Sequence, residues 1–235
     1  MTPIQPTKNS TPYLPEDYDA KISDIIPYYV SFHQEIINLV KSVSSSPKVW
    51  MDTGCGTGFL VNKAIAEFPH TKFLLVDPSE DMLNQARTKM FSYPTGRLKF
   101  LKASPTQEFS QNLKENPDII TAIQCHHYLS RESRAKATRV CYDLLKEGGI
   151  YIMFENIRPL TEDGTAIGKQ YWENFQLIHG RDEKEIQKHL ERFDTEYFSI
   201  TVEEHLELLK ATGFKTVELF WYSYMQAFIM YISTI

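Results

Sequence analysis

The stretch V49-W-M-D-T-G-C-G-T-G58 constrains this chain more than any other. A short apolar run ends in an acid, Asp52, and glycines follow at 54, 56 and 58. Phe59, Leu60, Val61, Ala64, Ile65 and Phe68 then recur at helical spacing. A buried strand, a tight turn and a helix account for that order. Glycine permits unusual backbone angles and lets the chain approach a ligand closely. At the carboxyl edge of a parallel sheet, such a turn is where open α/β folds bind ligands.

The rest of the chain reads in the same rhythm. Residues 72–77 (KFLLVD) form a second strand that also ends in an acid, Asp77. Ser79 suits the N-cap of the next helix, with Glu80 and Asp81 at its positive start and Met82, Leu83 and Ala86 on its inner face. Residues 97–102, 118–124 and 151–155 read as three further strands, and 130–145 as a helix stopped by Gly148 and Gly149. Strands alternating with helices predict an α/β fold with a doubly wound, mostly parallel sheet. Residues 214–221 and 226–232 add an antiparallel pair at one edge, making seven strands. The reading is therefore a single domain. It comprises an N-terminal arm and helices (1–46, broken at Pro27), a ligand-binding core (47–155), a helical, aromatic-rich lid (156–200), and a C-terminal helix with the strand pair (201–235).

Composition narrows the partners. The 235 residues carry 25 Lys+Arg against 30 Asp+Glu, a formal charge of -5, with no basic run, which argues against nucleic acid. No apolar stretch approaches the roughly 20 residues of a membrane span. The first residues lack a signal-peptide core. Three cysteines without a CxxC pair fit reduced thiols in the cytoplasm and call for no metal.

Two cofactor classes compete for the glycine loop. A dinucleotide site wants G-x-G-x-x-G, but the third position here is Phe59, and no phosphate-loop lysine follows. The spacing D-x-G-x-G-x-G resembles instead the signature loop of class I S-adenosylmethionine-dependent methyltransferases. That resemblance implies that the loop packs on the amino-acid part of the cofactor and that Asp77 holds the ribose hydroxyls. A carboxylate suits two hydroxyls because it accepts both bonds with its charge. Within the superfamily, I26-P-Y-Y29, V76-D-P78, L144-L-K-E-G-G149, V202-E-E-H205 and L209-K-A-T-G-F214 are similar to the carboxy-S-adenosylmethionine synthase group. The resemblance covers residues 18–233. It implies cofactor contacts from Tyr29, Asp52, Gly54, Cys55, Gly56, Asp77, Pro78 and Met82, with Gln124 at the end of the fourth strand.

Two positions depart from that pattern. The acid after the third strand falls at Ser104, a weaker partner for an adenine amino group. The synthase group's arginine, which holds an extra carboxylate, falls at Leu208. An apolar residue leaves that charge unpaired, so ordinary S-adenosylmethionine is the expected cofactor.

Methyl transfer needs alignment above all, and a general base where the nucleophile carries a proton. His126 and His127, after the fourth strand, are the candidate bases; the alternative for either is a packing role at a helix start. Arg158, Tyr171, Trp172 and Tyr197 in the lid, with His179 and Arg181, are candidates to bind a small, planar or partly apolar acceptor, with lid core for the aromatics and solvated charges as the alternative. The expected function is methylation of a small molecule at oxygen or nitrogen, by a monomer or homodimer. The alternatives are a carboxy-S-adenosylmethionine synthase and a non-catalytic cofactor-binding protein.

Overall fold

The computed structural model describes residues 14–44, 46–94 and 96–232. The expected N-terminal arm, up to residue 13, and Ser45 of the linker lie outside them. β1 (Val49–Thr53) is buried along its whole length, as a central strand covered on both faces must be. It pairs in parallel with β2 (Lys72–Val76) and β4 (Ile119–Ile123). β3 (Leu98–Phe100) pairs in parallel with β2, and β5 (Ile150–Asn156) with β4. The chain thus builds a five-stranded parallel sheet. β7 (Gln226–Ile232) runs antiparallel beside β5, and β6 (Thr216–Ser223) antiparallel beside β7. The full order is β3-β2-β1-β4-β5-β7-β6. Strand order reverses between β1 and β4, a switch point that opens a crevice at the carboxyl ends.

Helices cover both faces. α2 (Tyr29–Val43) and α3 (Phe59–Glu67) bury Phe32, Ile36, Ile37, Val40, Leu60 and Ile65 against one face. α5 (Arg131–Leu144) and α8 (Val202–Thr212) bury Cys141 and Leu209 against the other. α4 (Glu80–Lys89) begins where Ser79 Oγ accepts the Met82 N–H. Thr201 forms a reciprocal capping box with Glu204 at the start of α8. α6 (Glu162–Ile178) and α7 (Glu183–Leu190) occupy the segment between β5 and α8.

α1 (Pro15–Lys21) is pinned across the crevice. Asp19 accepts the Thr57 hydroxyl at 2.6 Å and pairs with Lys89, joining α1 to the glycine loop and to α4. A one-turn 3-10 helix, Ile22–Asp24, and Pro27 separate α1 from α2.

The Phe32 ring stacks on Phe154 of β5 with centroids 3.8 Å apart, and Phe32 is fully buried. Phe32→Ala removes a ring from a site that cannot collapse. It should cost about 3–5 kcal/mol of unfolding free energy, read as a lowered urea midpoint with unchanged slope.

Candidate active site

Local chain conformation explains the loop. Gly54, Gly56 and Gly58 all have positive φ, at 66°, 53° and 75°. A Cβ on Gly54 would stand 2.5 Å from Cys125 Cβ, so glycine is required there by contact as well as by angle. Gly56 has nothing within 4 Å of its absent Cβ. Its missing side chain leaves room for a ligand. The Cys55 N–H donates to the Val76 carbonyl, and the Gly58 N–H to the Cys55 carbonyl.

Asp77 closes this cradle. Its Oδ2 accepts the Gly56 N–H at 2.8 Å and its Oδ1 accepts the Ser79 N–H at 2.8 Å. Burial pushes its carboxyl up to about 6, against the lowering effect of these two donors. Asp52 is pushed up to about 7 by burial, although the Thr121 hydroxyl donates to it at 2.6 Å. Thr121 Oγ1 in turn accepts the Trp50 indole N–H, a buried chain that fixes the Asp52 rotamer.

Both acids, Gly54, Cys55, Gly56, Pro78 and Met82 line a cavity of about 1080 Å³. Tyr29 and Gln124 line it as well, so these cofactor-site expectations converge on one space. Gln124 adopts a positive φ of 54°, and its Nε2 is buried without a partner. Gln107 Oε1 is also buried without a partner at the cavity. A polar ligand with hydroxyl and amino groups fits such a wall, because a buried polar atom left alone is costly.

Ser104 does not line the cavity. Its N–H donates to the Asp77 carbonyl and its hydroxyl to the Pro105 carbonyl. The wall on that side comes from Pro105, Gln107 and Glu108, around the 3-10 turn Thr106–Glu108. An acid, Glu108, lines the cavity four residues beyond Ser104.

The histidines also require correction. Neither His126 nor His127 lines the main cavity, because both are buried in the 3-10 turn His126–Tyr128 beneath it. Glu155 Oε1 accepts the His126 N–H, while Oε2 accepts the His127 N–H and His127 Nδ1 at 2.7 Å. Burial would raise the Glu155 carboxyl, but the His127 bond and these neighbours hold it down to about 2. Burial lowers His126 to about 4, and its Nδ1 meets the Tyr151 hydroxyl. The turn so fixed presents Tyr128 and Leu129 to the cavity. Phe198, beside the turn, donates its N–H to the His127 carbonyl and accepts from Arg134 with its own. His127 does reach a void of about 20 Å³ beside the cavity, lined also by Trp172 and Tyr197.

Of the six residues expected to hold an acceptor, Arg181 alone lines the main cavity. Arg158 pairs with Asp194 and lies over the Phe193 ring. Tyr171 is half exposed and stacks on Tyr224. Trp172 donates its indole N–H to the Ile25 carbonyl, and Tyr197 is packed against Tyr128 and His127. The other residues from this segment that face the cavity are Glu185, Lys188, His189, Arg192 and their neighbours. Only helix rotation could have shown which ones.

Comparison with known proteins agrees with the loop and the topology. Residues 51–151 match the family model described as "Methyltransferase domain". The chain is 22% identical over 201 residues to the carboxy-S-adenosyl-L-methionine synthase of Nautilia profundicola, covering 86% of this chain and 84% of the relative. It is 24% identical over 213 residues to the synthase of that name from Methylococcus capsulatus, covering 88% and 87%. These matches support a class I S-adenosylmethionine-dependent methyltransferase. Its fold is similar to that of the N-methyltransferase NodS from Bradyrhizobium japonicum WM9, solved with S-adenosyl-L-homocysteine (TM-score 0.65, 13% identity, 94% of each chain). It is similar also to the plantazolicin methyltransferase BpumL (TM-score 0.69, 14% identity, 94% of this chain and 91% of that one).

The raised Asp77 carboxyl sets the sign of a pH dependence. Only the ionised carboxylate offers two charge-assisted acceptors, and protonation as pH falls through about 6 removes them. Affinity for S-adenosylhomocysteine should weaken from pH 8 to pH 5, and Asp77→Ala should weaken it at least about tenfold at pH 7.5, or 1.4 kcal/mol. Calorimetric titration checks both, and a flat pH profile with an unaffected variant would remove Asp77 from the site.

Proposed function

We propose that this enzyme transfers the methyl group of S-adenosylmethionine to oxygen or nitrogen of a small-molecule acceptor. The observation that carries the reading is the continuity of one cavity. The acid-and-glycine cradle opens directly into a chamber walled by Tyr18, Tyr29, His33, Tyr128 and His189. Its volume exceeds the 300–1,000 Å³ usual for one small ligand, which leaves space for a cofactor and an acceptor together.

Bound in the cradle, the cofactor supplies a sulfonium leaving group and an electrophilic methyl. Asp77 and the Gly54–Gly56 backbone hold it in register, while α1, α6 and α7 act as the lid that keeps water from the transfer. Alignment of acceptor and methyl is the principal contribution of the chain. Where the acceptor carries a proton, His33 is placed to accept a hydrogen bond from it and so orient it. His33 Nδ1 contacts the Tyr29 carbonyl at 2.6 Å, so Nδ1 is the protonated nitrogen and Nε2 carries the lone pair. Burial lowers this imidazole to about 3 and keeps it neutral. His126 and His127 serve instead as supports of the cavity wall.

A second reading, synthesis of a carboxylated cofactor, is favoured by the names of the sequence relatives. Leu208 no longer weighs against it, because Leu208 stands on α8, which packs on α5 and β6 and does not line the cavity. Mass spectrometry of any small molecule released on denaturation separates the two readings by the mass of one carboxyl group.

The free thiols Cys55, Cys125 and Cys141 support a reducing compartment such as the cytoplasm. No helix among the described residues is long and apolar enough to cross a membrane.

The reading predicts stabilisation by ligand. S-Adenosylhomocysteine at 100 times its Kd should add about 2.7 kcal/mol, a rise in Tm of about 5–11 °C for a domain of this size. Differential scanning fluorimetry reads it, and no shift at millimolar ligand would overturn the cofactor assignment.

A further inference from the structure

Charges around the cavity are sorted by wall. Asp52, Asp77 and Glu108 stand on the sheet side, around the cradle. Arg181, Lys188 and Arg192 stand on the opposite wall, on and beside α7. Two of these cations have local carboxylates. Arg181 lies 3.6 Å from Glu185, and Arg192 lies 2.7 Å from Glu196. Lys188 has no ion pair among the described residues. Three cations less two glutamates leave one uncompensated positive charge on this wall.

A second feature marks the same place. His189, the residue after Lys188, is buried and lines the cavity, and its Nδ1 has no hydrogen-bond partner. Its ring is fixed edge-on against Trp172 and Tyr197, at 4.9 and 5.8 Å. Arg192 is likewise held, with its guanidinium 4.6 Å from the Tyr197 ring centre. Tyr128 brings a phenol to the cavity beside them, packed on Tyr197 at 5.4 Å. Three cations, a phenol and an unpartnered imidazole nitrogen thus line one part of the cavity, where they suit oxygen acceptors. Tyr29, Phe59 and Leu129 supply flat apolar surface between this wall and the cradle.

Resting on the methyl-transfer reading, we propose that the acceptor is a planar or aromatic monocarboxylate whose charged end is received by Lys188 with Arg181 and Arg192. A single net positive charge matches a carboxylate, whereas a phosphate dianion would remain half neutralised. A carboxylate also matches the planar donor fork of arginine. The anion at one end of the chamber and the cationic sulfonium at the other orient the acceptor along the cavity.

The test uses the full chain saturated with S-adenosylhomocysteine. Benzoate, 4-hydroxybenzoate and cinnamate are titrated calorimetrically beside their methyl esters. At least one acid should bind about tenfold or more tightly than its ester. Lys188→Glu should weaken that acid about tenfold and leave the ester unchanged, while Lys188→Arg keeps acid affinity within about threefold. Lys188 is exposed, so both variants should melt as the parent does. The proposal falls if no acid binds, if esters bind as well as acids, or if Lys188→Glu leaves acid affinity intact. It falls also if Lys188→Glu weakens S-adenosylhomocysteine itself, which would assign the cation to the cofactor. Failure of the parent protein to bind S-adenosylhomocysteine would instead overturn the methyl-transfer reading beneath it.

Discussion

The Asp77 carboxylate is the point on which the site depends. One oxygen holds the Gly56 N–H and the other the Ser79 N–H, so a single side chain joins the glycine loop to the start of α4. Both bonds form at the carboxyl end of β2, where the parallel sheet leaves backbone groups without ladder partners. The carboxylate is costly to bury, which is why its pKa rises, and the two donors only partly offset that cost. A ligand presenting hydroxyls completes the set. The same local arrangement therefore shapes the loop and leaves an acceptor for a ligand.

A second buried acid performs a structural counterpart. Glu155, at the end of β5, takes three hydrogen bonds from the His126–His127 turn. It holds its charge because donors outweigh desolvation, the reverse of the balance at Asp77. The two acids sit at the carboxyl ends of β2 and β5 in one sheet, with β1 and β4 between them. One serves the open cradle, and the other fixes the wall that faces it. Breaking a buried charge from its partners is expensive, of order 3–5 kcal/mol, which makes the turn a rigid support for Tyr128 and Leu129.

The outer wall follows different rules. α6 and α7 bury few residues, among them Trp172, Gln176, Ile186 and His189, and carry many charges. Their placement depends on a few long-range bonds, such as Trp172 Nε1 to the Ile25 carbonyl. Elements held by few buried contacts open at low cost, and a chamber that admits an acceptor requires such a wall.

Much of this was legible in the chain. The parallel core, the glycine loop and the placing of Asp52, Asp77 and Gln124 at strand ends follow from local features: apolar runs, a capping serine, and glycines that a tight turn demands. Ser104 was misleading because a 3-10 turn moves the wall onward to Gln107 and Glu108, and linear spacing cannot register such a turn. His126 and His127 were adjacent to the right strand end, but the burial of Glu155 turned both toward the interior. Arg158, Tyr171, Trp172 and Tyr197 carried suitable chemistry on faces that pack elsewhere. Sequence alone determined the fold core and the cofactor cradle, because both are set by short-range constraints on backbone angles and strand order. Tertiary structure decided which side chains line the outer wall of the cavity, because a helix's rotation is fixed only by what its buried face finds to pack against.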